Sequence, residues 1–275
     1  MTEGQDRLRS LVDTWHRTAS EVVVLLRSLR AEEWALPTDL PGWDVRAVAC
    51  HLAHLESELA GNPQQPVAVP AAPHIRGWMG QFTEAGPLAR GSWSTAQIIE
   101  ELETSVRARF TALATAPPPD LAAPAPGFAA TAGWSWDTLL ANRCVDMWMH
   151  EQDIRRATGR PGGFDGPGAA HTVDTFLRAL PFVLGKKVGA PPGTSVHLQL
   201  TGDQPRTVAV GVGPDRRGKL LDGPPHEPSV RMVLDTHAWI ALAGGRRAPG
   251  DDVRVLVRGD ESLGRRLLQE LAVTP

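Results

Sequence analysis

Near residue 160 the hydrophobic period of the chain changes, and that switch limits the fold more than any other feature. Before it, apolar residues recur at helical spacing: Leu8, Leu11, Val12, Trp15, Val22, Leu25 and Leu26, then Val45, Val48, Ala49, Leu52 and Leu55, then Ile98, Leu102, Val106 and Phe110. These are the stripes of amphipathic helices. After the linker "GRPGGFDGPGAA" come short β-branched runs with period-two alternation, "SVHLQLTG", "TVAVGV" and "SVRMVLD", with turn residues between them. The expected fold class is α+β: a bundle of four main helices over residues 1–160, then a small α+β domain with a mostly antiparallel sheet over residues 161–275.

Punctuation supports this division. "LPTDLPGW" interrupts the first helix, Asp44 is placed to cap the second, and that helix stops near Gly61. "NPQQPVAVPAAP" reads as a loop because each proline removes a backbone donor. A short helix is expected over Gly77 to Ala85, and "PPPDLAAPAPG" ends the long helix that "STAQIIEELETSVRARFTALATA" begins. The last helix of the first part runs from Ser135 to Thr158, with Gly159 and Pro161 as its stop and Arg155 and Arg156 favouring its C-terminal dipole. In the second part, helices are expected near Val173 to Leu184, at "THAWIALAGG" and at "ESLGRRLLQELAV", with a strand at "VRVLVRG".

Composition removes several functions. A formal net charge of -3 offers no basic field for a phosphate backbone, so nucleic acid is not an expected partner. The N-terminus lacks the apolar core of an export signal and no run of about eighteen apolar residues occurs, which points to a cytoplasmic protein without membrane association. Cys50 and Cys144 are the only cysteines, too few for a disulfide framework or a cysteine-rich zinc site, and both read as small buried apolar residues.

The stretch "RCVDMWMHEQDI" carries the chemistry. Leu139, Arg143, Asp146, His150 and Asp153 share one helical face, while Val145, Met147, Trp148 and Met149 cover the other directions. This is an amphipathic helix turned inside out, and an ionised carboxylate inside a protein costs several kcal/mol (~3 or more) unless something compensates. A bound cation is one compensation; an ordinary hydrogen-bonded histidine–acid pair is the other. On the second helix His51 lies at the edge of the apolar stripe and points to the bundle, whereas His54 projects to the opposite side, toward solvent. Asp146, His150 and His51 together would give two imidazoles and a carboxylate around one divalent ion, the pattern of a catalytic zinc site with an open position. Arg143 and Asp153 read either as groups that orient the imidazole or as a salt bridge at the bundle's edge.

"LPGWDVRAVACHLAHLE" and "DMWMHEQDIRRATGRPG" resemble the two motifs of the mycothiol-dependent maleylpyruvate isomerase family, DinB-like four-helix metalloproteins. The later "LTGD" and "DTHAWIALAGGRR" through "VRVLVRGDESLGRRLL" are similar to the sterol-carrier-like domain that commonly follows that bundle, so the resemblance spans the chain. It implies zinc on His51, Asp146 and His150 with the thiol of mycothiol as fourth ligand, and an arginine reaching the active site from the C-terminal domain. By position that arginine is Arg246, with Arg247 as the alternative; a guanidinium grips a substrate carboxylate by two parallel contacts. Asp146 stands where the family usually has glutamate, and this puts substrate identity in question more than metal binding. The arginine-rich composition, with lysine only at Lys186, Lys187 and Lys219, suits the high-GC actinobacteria that make mycothiol.

The resulting expectation is a zinc enzyme that uses mycothiol thiolate for S-transfer to, or thiol-assisted isomerisation of, a small electrophile, acting as monomer or homodimer. Two alternatives stay beside it: maleylpyruvate isomerase proper, and a non-catalytic lipid or small-ligand binder built on the C-terminal domain. A metal-dependent hydrolase using Glu151 or Asp153 as base ranks last.

Overall fold

The computed structural model describes residues 2–250 and 253–274, and the chain divides into two compact units, up to Gly163 and from Phe164 onward. It is an α+β protein, helical in the first unit and sheet-bearing in the second.

In the first unit α1 (Glu3–Arg27), α2 (Val45–Leu59), α4 (Thr95–Thr115) and α6 (Trp136–Thr158) are the long helices, with α3 (Gly77–Ala89) and the single turn α5 (Phe128–Thr131) between them. α1 packs on α4 and α6, and α2 packs on α3, α4 and α6. Their common core includes Trp15, Leu26, Leu52, Ile98, Leu102 and Met147, all buried. Each such aliphatic side chain stabilises the fold by about 1.5–3 kcal/mol on burial. The helix starts follow local chemistry: the Asp44 carboxylate accepts from the Ala47 amide at 2.7 Å, and the Ser135 hydroxyl from the Thr138 amide at 3.2 Å. α6 ends at Gly159, which adopts the left-handed conformation (φ 64°) that only glycine takes without strain.

α3 extends four residues beyond the expected Ala85, carrying Pro87 inside it. His54 departs further from expectation. It is buried, not turned to solvent, because α3 covers that face of α2: a side-chain carbon on Gly86 would lie 2.8 Å from the His54 Cβ.

The second unit opens with α7 (Pro167–Phe182), which begins six residues before the expected Val173 because Pro167 occupies a position where a helix needs no amide donor. β1 (Ser195–Thr201), β2 (Arg206–Val212), β3 (Gly218–Leu221), β4 (Val230–Asp235) and β5 (Val255–Gly259) form one sheet of order β3-β2-β1-β4-β5. Every pairing is antiparallel except β1 with β4. α8 (Thr236–Ala243) and α9 (Glu261–Gln269) pack on β4. Alternate residues Val196, Leu198 and Leu200 of β1 are buried, as the period-two pattern requires.

Candidate metal centre

The signature "PGWDVR" builds one wall of the site. Gly42 turns with φ 82°, and the His74 ring lies where a side chain at 42 would begin, so glycine is required there. Trp43 follows, its indole NH donating to Glu84 on α3 at 2.8 Å. Asp44 caps α2, and Arg46 donates to the Arg90, Gly91 and Trp93 carbonyls that join α3 to α4. α2 then delivers His51 with its ring 5.0 Å from that of Trp43.

From α6, Asp146 and His150 meet His51. Asp146 Oδ1 lies 3.6 Å from His150 Nε2, and Asp146 Oδ2 lies 3.5 Å from His51 Nε2. The two imidazoles stand nearly perpendicular with centres 4.9 Å apart. One ligand atom from each residue falls within 4.8 Å of the others, the arrangement of a group able to hold a metal ion. These are the three residues expected from the sequence, brought together from two helices.

His150 Nδ1 sits 3.0 Å from Asp153 Oδ2. Asp153 also accepts from Arg156 at 2.5 Å, so its carboxylate is placed to accept from Nδ1, and Nε2 is the ring nitrogen that faces Asp146. Arg143 Nη1 donates to Asp146 Oδ2 at 2.7 Å. Arg143 and Asp153 thus both act on the cluster directly and are not at an edge.

The electrostatics favour an ionised carboxylate between imidazoles. Burial alone would raise Asp146, but Arg143, then His150 and His51, hold its carboxyl well below the usual range. Burial pushes His51 down, toward the neutral form that ligates, with Asp146 opposing. For His150 burial acts in the same downward sense, but Asp146 and Asp153 outweigh it and the ring is raised.

A divalent cation fits this donor set. Both ring nitrogens of His51 are buried without a hydrogen-bond partner among the described residues, and an unsatisfied buried polar group costs about 1–3 kcal/mol. Two imidazoles and one carboxylate are a donor set suited to zinc and to several other ions.

Behind the cluster lies a second set of charges. Glu56, fully buried on α2, accepts from Arg143 Nε at 3.0 Å, from Arg143 Nη2 at 2.8 Å, from Trp15 at 2.9 Å and from Arg109 at 2.8 Å. Sequence reasoning did not single out Glu56 or Arg109. The signal was present: Glu56 follows Leu52 by four, and Arg109 follows Val106 by three, so both are charges on apolar stripes.

Arg246 belongs to the second unit, where its Nη1 donates to the Gly244 carbonyl at 2.6 Å and lies 3.4 Å from the Thr274 hydroxyl. The cysteines are buried and free, as expected.

The chain is thus an α+β protein whose helical unit carries a two-histidine, one-carboxylate cluster. The family model described as the mycothiol maleylpyruvate isomerase N-terminal domain matches residues 15–155, and the chain belongs to that family. Two crystal structures of the mycothiol-dependent maleylpyruvate isomerase, one of a histidine-to-alanine mutant, are similar over 93% of this chain and 95% of theirs, at 16% identity and a TM-score of 0.50. At that identity the likeness speaks for the fold. No curated protein matches the chain.

Proposed function

We propose that this chain is a metal-dependent enzyme that uses mycothiol for S-transfer to, or thiol-assisted isomerisation of, a small electrophilic substrate. The observation that carries the reading is the convergence of His51, Asp146 and His150 with His51 otherwise unpartnered. Family membership supports mycothiol as the thiol.

In this reading the three side chains hold zinc. When bound, zinc supplies a positive charge that deprotonates a coordinated thiol, whose free pKa is near ~8.5, at neutral pH. Asp153 keeps the proton on His150 Nδ1 and so fixes which nitrogen is offered. Trp43 covers both imidazoles, with ring centres 5.0 and 6.0 Å away, and keeps water from that side. Arg246, with Arg247 as alternative, grips a substrate carboxylate; this assignment rests on the family resemblance, and Arg246→Met tests it through a raised KM for carboxylate substrates. No protein cysteine serves as nucleophile, since burial raises Cys50 and Cys144 to about 11 and about 12.

Maleylpyruvate isomerase proper is the narrower form of the same reading. The lipid-binder alternative has less support: the void in the apolar interior of the second unit, lined by Leu180, Val196, Leu198, Met232 and Trp239 among others, measures about 10 Å³. That is the space of roughly one water at most.

The experiment is incubation of zinc-loaded protein with mycothiol and a panel of electrophiles that includes maleylpyruvate, read by mass spectrometry for conjugates and by absorbance for isomerised product. The expected result is mycothiol-dependent turnover that is lost in His150→Ala. Absence of both products across the panel overturns the proposal.

A further inference from the structure

Asp146 has two carboxylate oxygens, and the protein treats them differently. Each oxygen faces one imidazole, Oδ2 the His51 Nε2 at 3.5 Å and Oδ1 the His150 Nε2 at 3.6 Å, but only Oδ2 accepts a guanidinium hydrogen bond, from Arg143 Nη1 at 2.7 Å. Arg143 cannot swing away from this contact. Its Nε and Nη2 are both engaged by one oxygen of Glu56, and its side chain is completely buried. Glu56 is held in turn by the Trp15 indole on the same oxygen and by Arg109 on the other, and the Arg109 guanidinium stacks 4.6 Å from the Trp15 ring. Four helices therefore meet in one chain of contacts: α1 through Trp15, α4 through Arg109, α2 through Glu56 and α6 through Arg143 and Asp146.

The charges of this chain balance. Glu56 and Asp146 are two carboxylates, Arg109 and Arg143 two guanidiniums, and each acid touches at least one base. A buried group of this kind gives little net stability compared with apolar packing, because desolvation offsets most of the attraction. Glu56, Arg109 and Arg143 lie at 0–4% exposure directly behind a ligand cluster, which points to a role other than stability.

We propose that Glu56 is a positioning residue for the metal centre: through Arg143 it fixes the Asp146 carboxylate so that Oδ2 is occupied and Oδ1 is the oxygen offered to a cation. This rests on the metal-binding reading above. Restricting the carboxylate to one oxygen keeps the coordination number low and leaves positions for thiol and substrate, as catalytic sites require.

The test is titration of the purified, chelator-stripped full chain with Co²⁺ alone, read by visible absorption, for wild type, Arg143→Met, Glu56→Gln and the double variant Glu56→Gln/Arg109→Met. Arg143→Met leaves Glu56 paired with Arg109, and the double variant removes a carboxylate and a guanidinium together and leaves Arg143 paired with Asp146, so neither strands Glu56 or a guanidinium without a partner. Variants are compared where far-UV circular dichroism matches wild type. We expect Co²⁺ affinity to fall by about 10–100-fold, and the visible band of the bound ion to weaken as the freed Asp146 oxygen raises the coordination number. Folded variants with wild-type affinity and an unchanged band overturn the positioning role while leaving the metal reading intact. Wild-type protein that takes up no Co²⁺ overturns both.

Discussion

His150 Nδ1 stands 3.0 Å from the Asp153 carboxylate, one helical turn away on the same face of α6. The contact decides the tautomer, because Asp153, itself paired with Arg156, can only accept. Arg156 is anchored further by Asp39 at 2.7 Å, so the imidazole is oriented by a line of groups running from the loop before α2 to the centre of the cluster. Asp153→Asn retains shape but removes the charge and replaces one of the two acceptor oxygens with an NH2 donor, so the proton on His150 Nδ1 is no longer enforced. Metal affinity is expected to drop about 10–100-fold, as for other partners of ligating histidines, with little change in the folded helical signal. Chelator competition with Zn²⁺ measures this, and an unchanged affinity contradicts it.

The Arg109–Glu56 pair lies at 4% and 0% exposure with nitrogen and oxygen 2.8 Å apart. Removing Arg109 takes away one of the two guanidiniums on Glu56 and leaves Glu56 and Asp146 to share Arg143, and breaking a buried pair in this way typically costs about 3–5 kcal/mol. Arg109→Ala is therefore expected to lower the urea unfolding free energy of the helical unit by that amount. A loss below ~1 kcal/mol, the range of exposed pairs, would show that the interior is wetter than the packing implies.

His54 gives the fold a pH dependence with a definite sign. Burial, then the charge of Arg90, lowers its pKa from an ordinary 6.5 to about 4. Between those values the unfolded chain binds a proton that the folded chain refuses, so stability present above pH 6.5 is lost as pH falls toward 4. The loss between pH 7 and 5 is on the order of 2 kcal/mol. Denaturant midpoints for wild type and His54→Gln across that range check it: the wild type should fall more steeply, and parallel curves contradict the assignment.

Burial raises Cys50 to about 11 and Cys144 to about 12, and Cys144 Sγ additionally donates to the Leu11 carbonyl at 3.3 Å. Thiol reagents at pH 8 are expected to modify neither cysteine in the folded protein and both after denaturation, by mass spectrometry. Rapid labelling of either native thiol contradicts this.

Much of the site was legible because helical period projects Asp146, His150 and Asp153 onto one face, and because Asp44 and Ser135 are local caps whose effect needs no tertiary information. His54 was misread for the opposite reason. The apolar stripe of α2 says which side faces α4 and α6, but whether α3 covers the remaining side depends on a proline-rich connection whose path no local rule specifies; the structure places Arg90 and Gln64 against that imidazole. β3 was missed because "GKLL" has no alternation of its own and becomes a strand by pairing with β2. Glu56 was overlooked since a charge on an apolar stripe is interpretable only once its two arginine partners, from α4 and α6, are in place.

The measurement that tests the central claim most directly is elemental analysis of the purified wild-type chain beside His51→Ala and Asp146→Ala. About one zinc per chain in the wild type and a loss of most of it in both variants is the predicted result, since each substitution removes one of three protein ligands from the site. Metal retained in both variants at the wild-type level, or absent from the wild type after incubation with zinc, contradicts it.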